Sequence, residues 1–585
     1  MIFGTHKKNA RLGAFNSRKR SNWARWLMPG TWRSPVLTRL ACVAATVVIV
    51  TALVHAAGPP LPYRVGEILP HDLRVRVGFE LVNYSQTERM REELEQRRLL
   101  GETVPDPPLS AFAPVVEKYP AGTPLLRPGH PINERQLVLL HEENRAYARS
   151  LTTADHARRF LSLLTIVGLL TVLIGLYVHR YQPALATSTP RVLQVCLLTI
   201  ATIGLGIALA RPPWSATLIP MTMAAMTLTI VFNPPFALLM AFSLSIVMTL
   251  ALVPGLNFLL IQMGGTATAV LLLCKVRTRR RMVQTAVLAG LAYVAMTVAT
   301  GLLTGQTVKF IAADASRHFL WAVLAGFVLS GCLPLLERCF GIVTDVTLLE
   351  LADSSHPLLQ ELIRRAPGTY THSMTVATLA EAAADAIGAD SLLTRVGCYF
   401  HDVGKMLKPQ YFIENQNGYN RHDHLEPALS TLVIIGHVKD GVALAEQYRL
   451  PRPVIDFIQQ HHGTTLVEYF YREAMRLQEQ NGHGSVELEF AFRYPGPRPR
   501  SREIGILMLA DAIESASRAL TAPTPASLSK LVHDILMKRL LDEQFEESGL
   551  TLTELHRIEE SLTKSLIALY HNRIKYPESD RPTPA

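Results

Sequence analysis

Apolar residues fall into two regimes along the chain. Before about residue 340 they form long unbroken runs; after it they recur at helical spacing among polar residues. Eight runs lie near 35–57, 159–179, 192–210, 215–232, 236–253, 257–274, 283–304 and 317–336. At 1.5 Å per residue, about 20 apolar residues cross a bilayer core, so each run predicts a membrane helix. Several are short or contain glycine and proline, which membrane helices tolerate when neighbours satisfy the freed backbone. The first run is longer than an ordinary signal-peptide core, although Ala56-Ala57-Gly58 offers a cleavage site as the alternative.

Beyond the last run the pattern predicts a soluble helical domain. HSMTVATLAEAAADAIG (372–388) is alanine-rich and closes on a glycine suited to a helix C-cap. LLTRVGCYFHDVGK, HLEPALSTLVIIGHVKDGVALAEQY, PRPVIDFIQQHHG and REIGILMLADAIESASRAL read as further helices. Only GSVELEFAFRYPG alternates somewhat, and it reads as an insertion or long loop. The fold class is therefore all-α: a polytopic membrane region followed by an all-α domain. The organisation expected is a basic N-terminus (1–34), a first span (35–57), an extracytoplasmic segment (58–157), a seven-helix membrane region (158–338) and a cytoplasmic domain (339–585). The extracytoplasmic segment is proline-rich, carries the helical stretch TERMREELEQRR and has no fold legible in its sequence. It is either a small sensory or partner-binding domain or a passive loop.

Charge sets the orientation. The chain has 585 residues and a net charge of +10, but the excess is placed by topology and not gathered into a nucleic-acid-binding stripe. Lys7, Lys8, Arg11, Arg18, Lys19, Arg20, Arg25 and Arg33 precede the first run, and KVRTRRRM fills the connection 275–282. The connections RPPW, VPGLN and GQTVKFIAADASRH carry few positive charges. Positive residues stay inside, so eight spans place both the N-terminus and the C-terminal domain in the cytoplasm. Localisation in the inner membrane follows. The six cysteines show no paired or CxxC spacing, so neither a disulfide framework nor a zinc ribbon is indicated.

The soluble helices contain polar exceptions at apolar positions: His372, His401, Asp402, His437, His461, His462 and Asp511. Any one could be a satisfied core residue. Together, left without partners, they would cost more than a domain's net stability, whereas metal coordination satisfies them at once. Five imidazoles and two carboxylates without thiolate suit iron, manganese, cobalt or nickel. Seven ligands exceed one ion's needs but suit two ions sharing Asp402, with positions left for water and substrate. A bridged pair of divalent ions acidifies a shared water and clamps a phosphoryl oxygen. Lys405 can place a cation beside charge developing on the phosphorus.

The pattern His…His-Asp…Asp, with HDVGK at its second element, resembles the HD-domain phosphohydrolase superfamily. His437 and His461-His462 resemble its binuclear phosphodiesterase branch. RAPGTYTHS, LLTRVGCYFHDVGK, YFIENQNGYNRHDHLEPALS, HVKDGVALA, QQHHGTT, FRYPGPRPRSREIGILMLADAIESASR and YHNRIKYP together resemble the seven-transmembrane HD family, the PgpH-type cyclic di-AMP phosphodiesterases. The resemblance is dense over 340–576 and extends to the membrane layout. It implies one metal on His372, His401, Asp402 and Asp511 and a second on Asp402, His437, His461 and His462. It also implies iron or manganese, and hydrolysis of cyclic di-AMP to linear pApA. Arg421, His422 and Arg493 are weaker transfers, expected along the substrate groove; for 421–424 a solvated turn is the equal alternative. The extracytoplasmic segment, about 100 residues, is shorter than the family leads one to expect.

Three rival functions remain open on the sequence alone. Related binuclear HD domains cleave cyclic di-GMP, but those carry Gly-Tyr-Pro after the histidine pair, where this chain has GTTLVEYFY. Other nucleotide phosphohydrolases use one metal, which would leave His437, His461 and His462 without a role. A catalytically silent nucleotide receptor is the third, against which stand the seven filled ligand positions. Expected partners are the cyclic dinucleotide, membrane lipid and an unidentified extracytoplasmic ligand or protein, with no nucleic-acid polymer; a homodimer is compatible with the sequence.

Overall fold

The computed structural model describes residues 34–58, 61, 63–69, 72–100, 114–211, 214–252, 255–273, 278–416, 418–481, 488–520 and 523–571. The basic N-terminus, the KVR of 275–277, the start of GSVELEFAFRYPG and the IKYP motif lie outside those residues.

All eight apolar runs are helices: Ser34–Ala56, Thr153–Tyr181, Thr189–Leu209, Leu218–Val231, Pro234–Leu252, Leu256–Leu272, Arg279–Leu303 and Val308–Phe340. Leu218–Val231 and Leu256–Leu272 have 14 and 17 residues, short of the roughly 20 that a perpendicular crossing needs. The chain is a multi-pass membrane protein. One further helix, Pro427–Gln447, is long and apolar enough to cross a membrane, though its mean hydropathy lies below that of the other long apolar helices. Its buried residues include Ser430, Thr431, His437 and Gly441 at helical spacing, so its apolar character serves a soluble core.

The chain divides into two compact units, Met1–Ala224 with Leu238–Thr266 and Ala292–Trp321, and Ala225–Ala237 with Ala267–Leu291 and Ala322–Ala585. In the first, Ser34–Ala56 packs on Thr153–Tyr181 and Thr189–Leu209 around Val50, Val54, Leu163, Val167 and Ile203. Small residues permit close approach here, as membrane interfaces require. A Cβ on Gly265 would stand 2.1 Å from the Tyr293 ring, whose hydroxyl meets Thr222 Oγ1 at 3.0 Å.

The soluble segment of this unit is not all-helical. Leu73–Arg74 pairs with Pro124–Leu126 and Phe79–Val82 with Val116–Tyr119, both antiparallel. TERMREELEQRR lies within the helix Tyr84–Leu99, and Glu134–Ser150 starts from a capping box at Asn133. Two apolar clusters, one around Leu69, Ile132 and Leu140 and one around Val75, Phe79 and Leu139, give the segment its own core. It meets the helix ends at Ala56, Ala210, Leu252 and Thr304 around a cavity of ≈ 670 Å³. Thus the four connections expected on one side of the membrane gather at one place. Gln306 clamps the segment there, its amide bonding both N and O of Ile68 at 2.9 and 2.8 Å. Arg64 reaches the buried Asp314 at 2.8 Å.

The helix Val308–Phe340, which belongs to the second unit from Ala322 onward, ends two residues past the expected boundary at 338. Glu337 then accepts bonds from Thr344 N, Thr344 Oγ1 and Thr347 Oγ1, turning the chain into the soluble helices. Pro367–Ile387 packs against Arg502–Ser517 and Leu552–His571 through an alanine stripe of Ala380, Ala383 and Ala384. It ends on Gly388 at φ 65°, the left-handed cap that glycine adopts without a Cβ penalty. A second cluster, Leu358, Leu362, Val396, Phe400, Val454 and Ile458, joins Pro357–Arg365, Ser391–Phe400 and Arg452–Gln460. Both clusters contain residues of the helices that carry the polar exceptions.

Candidate metal centre

Each polar exception sits where a helix face or end delivers it inward. His372 is in the first half of Pro367–Ile387, His437 midway along Pro427–Gln447, and Asp511 midway along Arg502–Ser517, all buried. His401 is the last residue in helical conformation after Ser391–Phe400, and Asp402 departs from it at φ −109°, ψ 14°. Successive helical side chains diverge by about 100°; ending the helix between these two lets both point the same way. The following turn, Val403–Leu407, presses on the His437 helix. A Cβ on Gly404 would stand 1.9 Å from the His437 carbonyl oxygen, which explains the glycine of HDVGK.

Asp402 faces histidines with both oxygens. Oδ2 lies 3.3 Å from His401 Nε2 and 3.6 Å from His372 Nε2. Oδ1 lies 3.3 Å from His437 Nε2 and 3.7 Å from His461 Nε2. Asp511 repeats the arrangement, with Oδ1 3.0 Å from His372 Nε2 and Oδ2 3.9 Å from His462 Nδ1. Two groups result, His372–His401–Asp402–Asp511 and Asp402–His437–His461–His462, each with its ligand atoms within 4.8 Å of one another.

The outer ring nitrogens are held in place. Nδ1 of His401, His437 and His461 contacts the carbonyls of Cys398, Ile434 and Ile458 at 2.7, 2.5 and 2.9 Å. Nδ1 of His372 meets Glu514 Oε2 at 2.6 Å. A donor at Nδ1 leaves Nε2 as the lone pair facing inward, the tautomer a metal ligand requires. His462 is oriented differently, by stacking on Tyr494 at 4.2 Å between centroids.

The centre asks for positive charge. His401 Nε2 and both Asp402 oxygens are fully shielded from water and make no hydrogen bond. Burial opposes charge at His401, yet the Asp402 carboxylate raises its imidazole to about 10. Burial also opposes ionisation of Asp402 and Asp511, and neighbouring cationic groups still hold both well below the usual carboxylate range. At His461 burial and the charge of His401 push the imidazole down to about 3. Buried ring nitrogens and carboxylate oxygens converging in two groups, with His401 Nε2 and both Asp402 oxygens lacking a hydrogen bond, fit divalent cations. Lys405 Nζ stands 2.6 Å from Asp402 Oδ2, out of hydrogen-bonding alignment, and 3.2 Å from Glu414 Oε1. Burial works against its ammonium, but these carboxylates raise its pKa.

The seven ligand candidates and Lys405 thus come together, while the three weaker residues stand apart from the cluster. His422 is buried with Nε2 2.8 Å from the Tyr411 carbonyl and its ring against Phe470. Arg421 lies over the Tyr411 ring. Arg493 is occupied by Glu489, Asp542 and the Thr464 carbonyl. Glu514, Glu414 and Tyr494 were not singled out from sequence. Only Glu514 left a trace there, as a second acidic residue three places beyond Asp511 on an apolar helix.

Residues 157–344 match the family described as 7TM receptor with intracellular HD hydrolase, and residues 369–516 match the HD domain. The chain belongs to the seven-transmembrane HD family. Two curated relatives carry the name Cyclic-di-AMP phosphodiesterase PgpH. That of Listeria monocytogenes is 38% identical over 62% of this chain and 50% of its own length. That of Bacillus subtilis is 38% identical over 62% of this chain and 52% of its own. The chain thus spans about half the length of these curated relatives. A crystal structure of the L. monocytogenes PgpH HD domain in complex with cyclic di-AMP is 46% identical, covering 38% of this chain and all of that one, with a TM-score of 0.35. In this seven-transmembrane HD chain the second matched segment begins three residues before His372 and ends two after Glu514.

Proposed function

We propose that this chain is a membrane-anchored phosphodiesterase that hydrolyses cyclic di-AMP to linear pApA with two divalent ions, manganese or iron. One observation carries the reading: Asp402 presents a different oxygen to each of two histidine groups, the disposition of a bridging ligand. His372, His401, Asp402 and Asp511 would hold one ion, and Asp402, His437, His461 and His462 the other. Such a pair, when bound, lowers the pKa of water and neutralises charge on a phosphoryl oxygen.

The protein's own contribution is placement. Nδ1 contacts fix the inward nitrogens before substrate arrives, so little reorganisation accompanies the reaction. Lys405, restrained between Asp402 and Glu414, offers a fixed cation to the phosphoryl oxygens. One water adds across a P–O3′ bond, leaving a 5′-phosphate and a 3′-hydroxyl that takes up a proton. The adenine preference rests on the names of the relatives. The positive-inside charge pattern supports a cytoplasmic catalytic domain, with segment 58–157 on the opposite side as the seat of regulation.

The test is hydrolysis by the full chain in lipid nanodiscs with manganese, offered cyclic di-AMP or cyclic di-GMP, beside Asp402→Ala. Manganese-dependent pApA from the wild type alone supports the proposal. Preferential cleavage of cyclic di-GMP overturns the substrate, and tight binding without turnover under several metals makes the chain a receptor.

A further inference from the structure

The second unit holds a cavity of ≈ 570 Å³ whose lining includes Leu466, Arg493, Lys538, Arg539 and Asp542. Most of its charges are already matched. Arg493 is paired with Asp542 at 3.0 Å and with Glu489 at 2.7 Å, and Lys538 is paired with Glu468. Asp534, exposed, has no ion pair among the described residues. Arg539 differs from the other cations. Its Nε is shielded from water with no partner, and no ion pair engages the guanidinium among the described residues. Burial lowers its pKa, against the carboxylates of Asp511 and Asp542. A guanidinium nonetheless stays charged in proteins, and the shielded Nε–H of this one still needs an acceptor.

Two short stretches of chain link the cavity to the metal centre. The turn Gly463–Thr464–Thr465 leads directly from His461-His462 to Leu466, which bridges to Arg493. The next residue, Tyr494, stacks on His462. Asp511, a ligand candidate, and Tyr494 both act on the charge of Arg539. A cyclic dinucleotide carries two phosphodiesters on opposite sides of one ring. When one occupies the metal centre, the other must find its own counter-charge nearby, and arginine matches phosphate with two parallel donors.

We propose that Arg539 binds the second, non-reacting phosphodiester of the cyclic dinucleotide, so that this cavity selects a two-phosphate ring over a one-phosphate ester. The proposal rests on the phosphodiesterase reading above and adds to it a substrate-binding residue.

The experiment uses the full chain in nanodiscs with manganese, as wild type, Arg539→Met, Arg539→Lys and Arg539→Ala. For Arg539→Met, KM for cyclic di-AMP rises roughly tenfold to a hundredfold, the scale of a lost charge-assisted hydrogen bond. The selectivity for cyclic di-AMP over bis(p-nitrophenyl) phosphate falls by the same factor. Arg539→Lys lies between the two, and methylguanidinium lowers KM again in Arg539→Ala. An unchanged KM, or equal losses on both substrates, overturns the proposal; if Arg539→Met fails to fold, the same ratio measured on Arg539→Lys decides. Should the wild type cleave neither substrate, the phosphodiesterase reading fails by itself. Calorimetric binding of cyclic di-AMP then decides about Arg539: weaker binding by the variants supports the subsite, and equal affinity removes it.

Discussion

The carboxylate of Glu514 stands 2.6 Å from Nδ1 of His372, while Asp511 stands 3.0 Å from Nε2 of the same ring. One imidazole is thus held between two acids one helical turn apart, and Glu514 is itself neutralised by Arg518 at 2.5 Å. Glu514 orients the ring without facing the metal gap. Outer partners of this kind typically contribute tenfold to a hundredfold in metal affinity. Glu514→Gln is therefore expected to weaken manganese binding by about that factor. Metal titration followed by calorimetry measures it, and an unchanged affinity would show that the ring is held by packing alone.

Asp402 and His437 should differ in how many ions they cost. Asp402 faces both histidine groups, whereas His437 belongs to one. Elemental analysis of the purified chain is expected to give about two ions for the wild type, fewer than one for Asp402→Ala and about one for His437→Ala. Chelation should also lower the melting temperature, because ions bound only by the folded state stabilise it by about 2.7 kcal/mol at a hundredfold excess over Kd. Equal metal content in the two variants would count against a shared ligand.

Gly404 has a clear steric task. Any side chain there meets the His437 carbonyl at 1.9 Å, and the contact is backbone, which cannot rotate away. Gly404→Ala should displace the His437 helix, costing on the order of 1–3 kcal/mol as overpacking does. Loss of the second ion is expected with it. Thermal unfolding and metal content read both effects, and a variant of wild-type stability with two ions would refute the account.

Acid should loosen the soluble segment of the first unit. Glu143 is buried, yet it accepts bonds from Arg76 N, Nε and Nη2 at 2.9, 3.0 and 2.7 Å. Burial raises its pKa, but those bonds outweigh it and hold the carboxylate below the ordinary 4.5. A depressed folded pKa gives stability that is complete above the unfolded value and lost as pH falls through the folded one. Protease resistance of this segment should accordingly decline only below about pH 4.5. In Arg76→Met the decline begins at higher pH, as the carboxylate loses its charged partner. Identical acid profiles for the two proteins would show that Arg76–Glu143 does not set the acid limit.

Sequence alone determined the helices, because an apolar run of bilayer length and a glycine-capped alanine stripe are local facts. It also singled out the seven candidate ligands that the fold brings together, since polar residues at apolar helical positions stand out without knowledge of neighbours. Pro427–Gln447 marks the limit of such reading: it is long and apolar enough to pass for a weaker span, and the packing around His437 explains its apolar face instead. The short strands of segment 58–157 escaped because two- to four-residue pairings depend on partners far along the chain. Arg493 reads as a substrate contact in sequence, but Glu489 and Asp542 occupy it in the fold, whereas nothing in the sequence around Arg539 sets it apart. The tertiary structure decided which charges were already matched, which oxygen of Asp402 faces which histidine, and where Glu514 stands. Residue type and periodicity report what a side chain could do; only its neighbours in space determine whether its charge, lone pair or proton is still free.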